Sequence, residues 1–329
     1  MRCGAKQHKG SHMRGSGSGA AEAMARFVAD ARGRPRPPGH VIVFANEKGG
    51  VGKSTLAFHA AIALANAGAA VLALDCDIRQ RSLNTALDNR RATATCLGIS
   101  LPLPRAAVVE REGLAALTQE MARLGAGCRF ILIDAPGSDT PTGRAALALA
   151  DTLVTPVNPS FIDLAHLGRF NPTTLDLTAP GPFGALVAGL QAERVRQNLA
   201  PADWLLLKNR VRGSEARQQE RVDHALGLLA ERLGARIGSG FAERVGYREL
   251  FVFGLTHPDL QHIPQLGAIK ARETQEVDRM LAELRLPPMG LPAPREHLGQ
   301  AWVQAQTRAS YLDALKAHVA PQGGMRARA

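Results

Sequence analysis

The stretch from Val41 to Gly68, "VIVFANEKGGVGKSTLAFHAAIALANAG", constrains the fold more than any other part of the chain. An apolar run, a glycine-rich turn and an amphipathic run follow one another without a gap. This order reads as a buried strand feeding a helix through a tight loop. In such a junction, backbone N–H groups and the helix N-terminus converge on one point and favour an anion there. Gly49, Gly50 and Gly52 allow the close backbone approach that side chains would block. Lys53 is placed to meet the β and γ phosphates of a nucleotide, and the Ser54 hydroxyl to ligate Mg2+. The usual spacing, G-x-x-x-x-G-K-[ST], asks for glycine at position 47 and finds Glu47. What stands there is K-G-G-x-G-K-S-T, with an extra lysine, Lys48, that phosphate binding within one chain does not require.

Four further apolar runs end in polar residues: "AVLALD" (70 to 75), "FILIDAP" (130 to 136), "TLVTPV" (152 to 157) and "WLLLKNR" (204 to 210). Near-continuous apolar strands of this kind are covered on both faces, so the fold class expected is α/β, a parallel-sheet P-loop NTPase with helices on both faces. Ligands of such sheets lie at the carboxyl ends of the strands. Asp75, Asp77 and Asp134 close two of those runs, and Gly137 gives the loop after Asp134 freedom to move. The domain expected covers residues 39–290. Before it, 1–38 reads as a disordered basic Gly/Ser/Pro-rich extension, with eight basic residues against Glu22 and Asp30. Its "GSHM" and "RGSGSG" read as a cloning remnant or an upstream start, with Met24 an alternative first residue. After the domain, 291–329 reads as a linker, a helix over 298 to 319 and a basic tail.

Charge and composition bound the partners. The chain of 329 residues has a formal net charge of +11, which favours an anionic partner such as nucleic acid. Four scattered cysteines, Cys3, Cys76, Cys96 and Cys128, form no C-x-x-C pair, which argues against a zinc ribbon or a disulfide framework. No apolar run reaches the roughly 18 to 20 residues that span a bilayer, so a soluble intracellular protein is expected. In "GSEARQQERVDHALGLLAERLG", Ser214 suits a helix N-cap and Val222, Leu226, Leu229 and Leu233 form the core-facing stripe. Arg217 and Arg221 point away from that stripe. With Arg210 and Arg212 they make a candidate set of phosphate contacts, against the plainer reading of a solvated face balanced by Glu220 and Asp223.

The loop resembles the deviant Walker A box of the ParA and MinD group of P-loop ATPases. That resemblance implies an ATP-dependent homodimer in which Lys48 reaches the phosphates bound by the partner. It also implies that Lys48, Gly49, Gly50, Val51, Gly52, Lys53, Ser54 and Thr55 cradle ATP, with Lys53 and Lys48 serving catalysis. Asp77 is the switch carboxylate that orients the attacking water; Ser54, Asp134 and Asp75 attend the Mg2+ ion. Asp134 and Gly137 form the second switch, and Asn209 reads the adenine edge or, on the plainer reading, caps a helix.

"TLVTPVNPSFIDLAHLG", "DWLLLKNRVRGSEARQQERV" and "RVGYRELFVFGLTHPDL" narrow the resemblance to the MipZ family, over roughly residues 40 to 260. It implies a slow, switch-type ATPase recruited by ParB, binding nonspecific double-stranded DNA as the ATP dimer and inhibiting FtsZ polymerisation to place the division site. A cytoplasmic, nucleoid-associated and pole-enriched protein follows. Attachment to membranes as in MinD needs a basic amphipathic end helix. "ASYLDALKAHVA" carries Leu312, Leu315 and Val319 on one side with little positive charge, so it reads as a packing helix. The alternatives are a ParA-type partition ATPase and, more remotely, a metabolic ligase on the same ATP site.

Overall fold

Alternate residues along each central strand point to opposite sides of the sheet, and both sets are apolar. Val41, Val43, Leu72, Leu74, Ile131 and Ile133 enter one core, while Ile42, Phe44, Val71, Ala73, Phe130 and Leu132 enter another. This is why the strands read as unbroken apolar runs, and it requires helices on both faces. The structure is a computed structural model and describes residues 16–211, 216–243, 245–263, 274–288 and 305–319.

In chain order the first half contains α1 (Ser16–Gly33), β1 (His40–Phe44), α2 (Lys53–Asn66), β2 (Val71–Asp75), α3 (Ser82–Leu97), β3 (Arg105–Val108), α4 (Leu114–Leu124), β4 (Phe130–Asp134) and α5 (Pro141–Leu149). The second half contains β5 (Thr152–Val157), α6 (Phe161–Leu164), β6 (Gly168–Phe170), β7 (Leu177–Pro180), α7 (Pro182–Arg196), β8 (Asp203–Lys208) and α8 (Ala216–Leu233). Then come β9 (Arg236–Gly238), α9 (Val245–Val252), a 3-10 helix (His257–His262), α10 (Thr274–Glu283) and α11 (Ala305–Val319). The seven-stranded sheet runs β3-β2-β4-β1-β5-β8-β9, every pair parallel, and β6 and β7 form a separate antiparallel pair. The expected parallel sheet with helices on both faces is therefore present. β1 lies at its centre, so the loop after β1 opens where neighbouring connections diverge to either side.

One core packs α1, α4, α5, α7 and α8 against the sheet; the other packs α2, α3, α9 and α10. The expected stripe of α8 is buried, with Val222, Leu226 and Leu229 at 1% exposure or less. A smaller cluster joins Leu97, Leu250 and Leu260 to Leu315 of α11, so that helix packs as expected.

One expectation is corrected. Part of the basic extension is folded: α1 packs on α5 and α7, and its Val28 and Ala31 are buried. The physical reason is the spacing of Met24, Phe27, Val28 and Ala31, an i, i+3, i+4, i+7 apolar stripe within an otherwise polar segment. Met24 sits within that stripe, and its sulfur lies so near Gly189 that a Cβ there would approach to 3.1 Å. Ser214 and the basic tail lie outside the described residues.

Candidate functional site

The loop from Ala45 to Gly52 leaves β1 and enters α2 through two glycines in left-handed conformation, Gly50 (φ 75°) and Gly52 (φ 94°). Gly52 is also the N-cap, and no side chain caps the helix. The first N–H groups of α2 thus have no intrahelical acceptor and face the loop's concavity. Asn209 presses on the loop from β8's end: its Nδ2 donates to the Val51 carbonyl at 2.8 Å, and a Cβ on Gly52 would collide with it. Its Oδ1 accepts from the Arg210 amide. In this structure Asn209 therefore clamps the loop. It does so at the edge of a small cavity of about 40 Å³ lined by Thr55, Phe241, Tyr247 and Arg248.

Lys53 is buried at 8% exposure, with Nζ donating to the Lys48 carbonyl at 3.2 Å. Burial lowers its pKa, and the nearby Asp134 and Asp77 oppose that shift. Asp75 and Asp134 end adjacent parallel strands and stand in register as partners. Asp134 is 1% exposed; burial, reinforced by the neighbouring Asp75 charge, pushes its pKa up to about 8, against the Ser54 hydrogen bond and the Lys53 charge. Its Oδ1 has no hydrogen-bond partner. A buried carboxylate oxygen without a partner is costly unless a ligand completes it. Beside a serine hydroxyl and a phosphate-type loop, it fits Mg2+ bound with a nucleotide. No group of three His, Cys, Asp or Glu side chains among the described residues makes a cation cage.

The two carboxylates after the second strand's apolar run make different contacts. Asp75, expected near the metal, is committed to backbone: Oδ1 accepts from the Asp77 amide and Oδ2 from the Asn84 amide, both at 3.0 Å. The geometry makes it the brace of the loop entering α3. Asp77 accepts from the Arg79 and Gln80 amides at 3.2 and 2.9 Å, which closes the turn carrying it. On the other side, Gly137 lets the loop after β4 lie against the phosphate loop. A Cβ there would sit 3.2 Å from Lys53 Nζ and 3.6 Å from Gly49 Cα.

Lys48 has a partner within its own chain, which sequence reasoning missed. Its ammonium pairs with the Asp163 carboxylate of α6; Asp163 is 6% exposed and Lys48 28%. Asn46, also missed, accepts from the Lys48 amide at 3.0 Å and donates to the Pro156 carbonyl at 2.8 Å, tying the loop to β5.

Of the four candidate arginines, Arg210 and Arg221 have described side chains. Arg210 lines the small cavity beside Asn209, whereas Arg221 is exposed and flanks a separate groove with Arg169, Phe161 and Phe170. Arg212, and the side chain of Arg217, lie outside the described residues. Lys208 Nζ pairs with Asp223 on α8, so part of the balancing charge foreseen there is already used.

A family model described as ATPase MipZ matches residues 40–288, which includes every element from β1 to α10. The chain belongs to the MipZ family. It is therefore an ATPase. No match to a curated protein sequence was found. Among solved structures, the ATP complex of an McdA variant from Cyanothece is similar at TM-score 0.52 and 16% identity, covering 75% of this chain and 95% of that one. This supports the fold. MinD with Mg-ADP from Pyrococcus horikoshii OT3 gives TM-score 0.46 and 16% identity (75% and 96% covered). The MinC:MinD complex of Aquifex aeolicus gives 0.46 and 18% (78% and 98%). For this MipZ-family chain, no described helix is long and apolar enough to cross a membrane.

Proposed function

We propose that this chain is an ATP-gated dimerising switch of slow turnover that positions the division site. The ATP dimer binds nonspecific double-stranded DNA and inhibits FtsZ polymerisation, and the protein is recruited by ParB. The observation that carries the switch reading is the pair of lysines on one phosphate loop: Lys53 turned inward among Asp134 and Asp77, and Lys48 at the rim, partly exposed. One chain's loop needs only the first. The second serves a triphosphate in a facing subunit, where two clustered anions repel unless both cations arrive.

In this reading the backbone amides of Gly49 to Thr55 and the Lys53 ammonium hold the triphosphate. Mg2+, which Ser54 and Asp134 would hold with Asp75 beside them, would neutralise charge on the phosphates. Asp77, fixed by its turn amides, orients the attacking water, and Gly137 lets the second switch follow the γ-phosphate. Asn209 exchanges its Val51 bond for the adenine edge. Arg221, with Arg217, Arg212 and Arg210, contacts DNA phosphates, so that binding is salt-sensitive and the number of phosphate contacts doubles on dimerisation.

The test is Lys48→Ala. With Mg2+ and a nonhydrolysable ATP analogue it should bind nucleotide through Lys53 yet remain monomeric in sedimentation velocity; a dimer would overturn the trans-lysine role. Asp77→Ala should instead accumulate dimer under ATP. Whether the dimer serves division or partition is decided by FtsZ sedimentation. Unchanged FtsZ assembly would favour the ParA-type partition reading.

A further inference from the structure

Asp163 lies in "NPSFIDL", a stretch to which the nucleotide site assigns nothing, yet it is one of six carboxylates buried among the described residues. Its helix α6 is only four residues long and is capped by Ser160, whose hydroxyl accepts from the Asp163 amide and donates to Asp163 Oδ2, both at 3.3 Å. The other oxygen, Oδ1, faces the Lys48 ammonium and has no hydrogen-bond partner besides that ion pair. Lys48 is held at its backbone as well, by Asn46. The lysine that must travel to another subunit is thus anchored at both ends inside its own chain.

We infer that Asp163 is a positioning residue that restrains Lys48 in the single chain and so sets the threshold for nucleotide-dependent dimerisation. This rests on the trans-lysine reading above. Lys48 cannot neutralise Asp163 and a partner's phosphates together, so the competent conformer is the fraction of chains in which this pair is broken. A competent state populated only in part weakens apparent affinity by that fraction. Two chains each release one lysine, so the restraint enters the dimer constant twice. When Lys48 leaves, Asp163 keeps the Ser160 hydroxyl but loses its counter-ion in a site from which water is largely excluded. The dimer therefore forms only when bound triphosphate offers Lys48 a better anion.

Asp163→Asn, nearly isosteric, removes the charge and keeps the hydrogen-bonding shape. In sedimentation velocity with Mg2+ and AMP-PNP, it should tighten the dimer about tenfold, the usual scale of a coupling between sites. A purely structural role for Asp163 would not tighten it. In the nucleotide-free chain, amine labelling followed by mass spectrometry should show Lys48 modified several-fold faster than in the parent, with Lys53 unchanged. Asp163→Glu, which keeps the charge, should return both readouts toward the parent. If Asp163→Asn dimerises no more tightly than the parent, or labels Lys48 at the parent rate, the restraint is overturned. Should Asp163→Asn fail to fold, Ser160→Ala loosens α6 without touching the charge. It should tighten the dimer about twofold and speed Lys48 labelling, and no change in either would overturn the restraint. The two readings separate cleanly. Dimer formation by Lys48→Ala overturns the trans-lysine reading, and the restraint with it. A monomeric Lys48→Ala beside an unshifted Asp163→Asn overturns the restraint alone.

Discussion

Two buried charge clusters lie on the same side of the sheet and differ in one respect, completion. Midway along α3, Arg90 pairs with Asp259; the two are 0% and 2% exposed and form two hydrogen bonds at 2.6 and 2.8 Å. Arg90 also donates to the Pro102 and Gly254 carbonyls, and Asp259 accepts from the Thr256 amide and hydroxyl. No buried nitrogen or oxygen of either side chain is left without a partner. At the nucleotide end, Asp134 is as deeply buried but keeps an unpartnered oxygen, and Lys53 settles for a loop carbonyl. Completed buried charge holds the fold; incomplete buried charge marks a place where a ligand finishes the network.

The comparison predicts opposite consequences of mutation. Arg90→Ala leaves Asp259 buried without its cation and should cost about 3–5 kcal/mol of stability, the largest loss expected, read as a lowered urea midpoint. Asp134→Asn should do the reverse in the nucleotide-free chain. The folded pKa of Asp134 is about 8 against a reference of 3.8. The folded state therefore holds a proton that the unfolded chain releases, and its contribution, full below pH 3.8, is lost as pH rises through 8. By linkage at about 1.4 kcal/mol per pH unit, the variant should be more stable than the parent by about 5 kcal/mol at pH 8 and match it near pH 4, while losing Mg-nucleotide binding. A parent whose stability did not fall over that window would break the contrast.

His59 sharpens it from the other side. It lies between the two clusters, edge-on to Phe58 and Tyr247, and burial, with His257 and Arg90 in support and Asp259 opposed, lowers its pKa to about 3 from 6.5. Stability from the neutral ring is present above pH 6.5 and lost as pH falls toward 3. His59→Phe should be about 2 kcal/mol less acid-sensitive at pH 5 by urea unfolding.

These examples also show what the sequence could reveal. The phosphate loop and the carboxylates after β2 and β4 were legible because their meaning is local: a few adjacent residues, placed by strand ends whose apolar runs announce themselves. Strand β3, "RAAV", was not, since as a short edge strand it is only half-buried and carries no long apolar run. Helix α1 hid a readable stripe inside a segment whose glycine, serine and arginine content suggested disorder. The pairs Lys48–Asp163 and Arg90–Asp259 join residues far apart in the chain, and nothing in either segment names its partner. The same holds for Asn209, whose grip on Val51 exists only because β8 comes to lie near the loop.

The smallest effect belongs to charge that is complete but exposed. Arg81 bonds Glu110 at 2.9 Å, with the two side chains 46% and 60% exposed. Arg81 also closes the turn after Asp77 through its own amide on the Asp77 carbonyl and its Nε on the Ile78 carbonyl, and neither bond needs Glu110. Water already solvates both charges, so Glu110→Gln should cost less than about 1 kcal/mol, and less again at high salt. ATP turnover should be unchanged, because the turn that holds Asp77 keeps its backbone bonds. A turnover defect without a stability loss would mean that Glu110 steers the switch through Arg81, and that exposure alone does not separate structural charge from functional charge in this molecule.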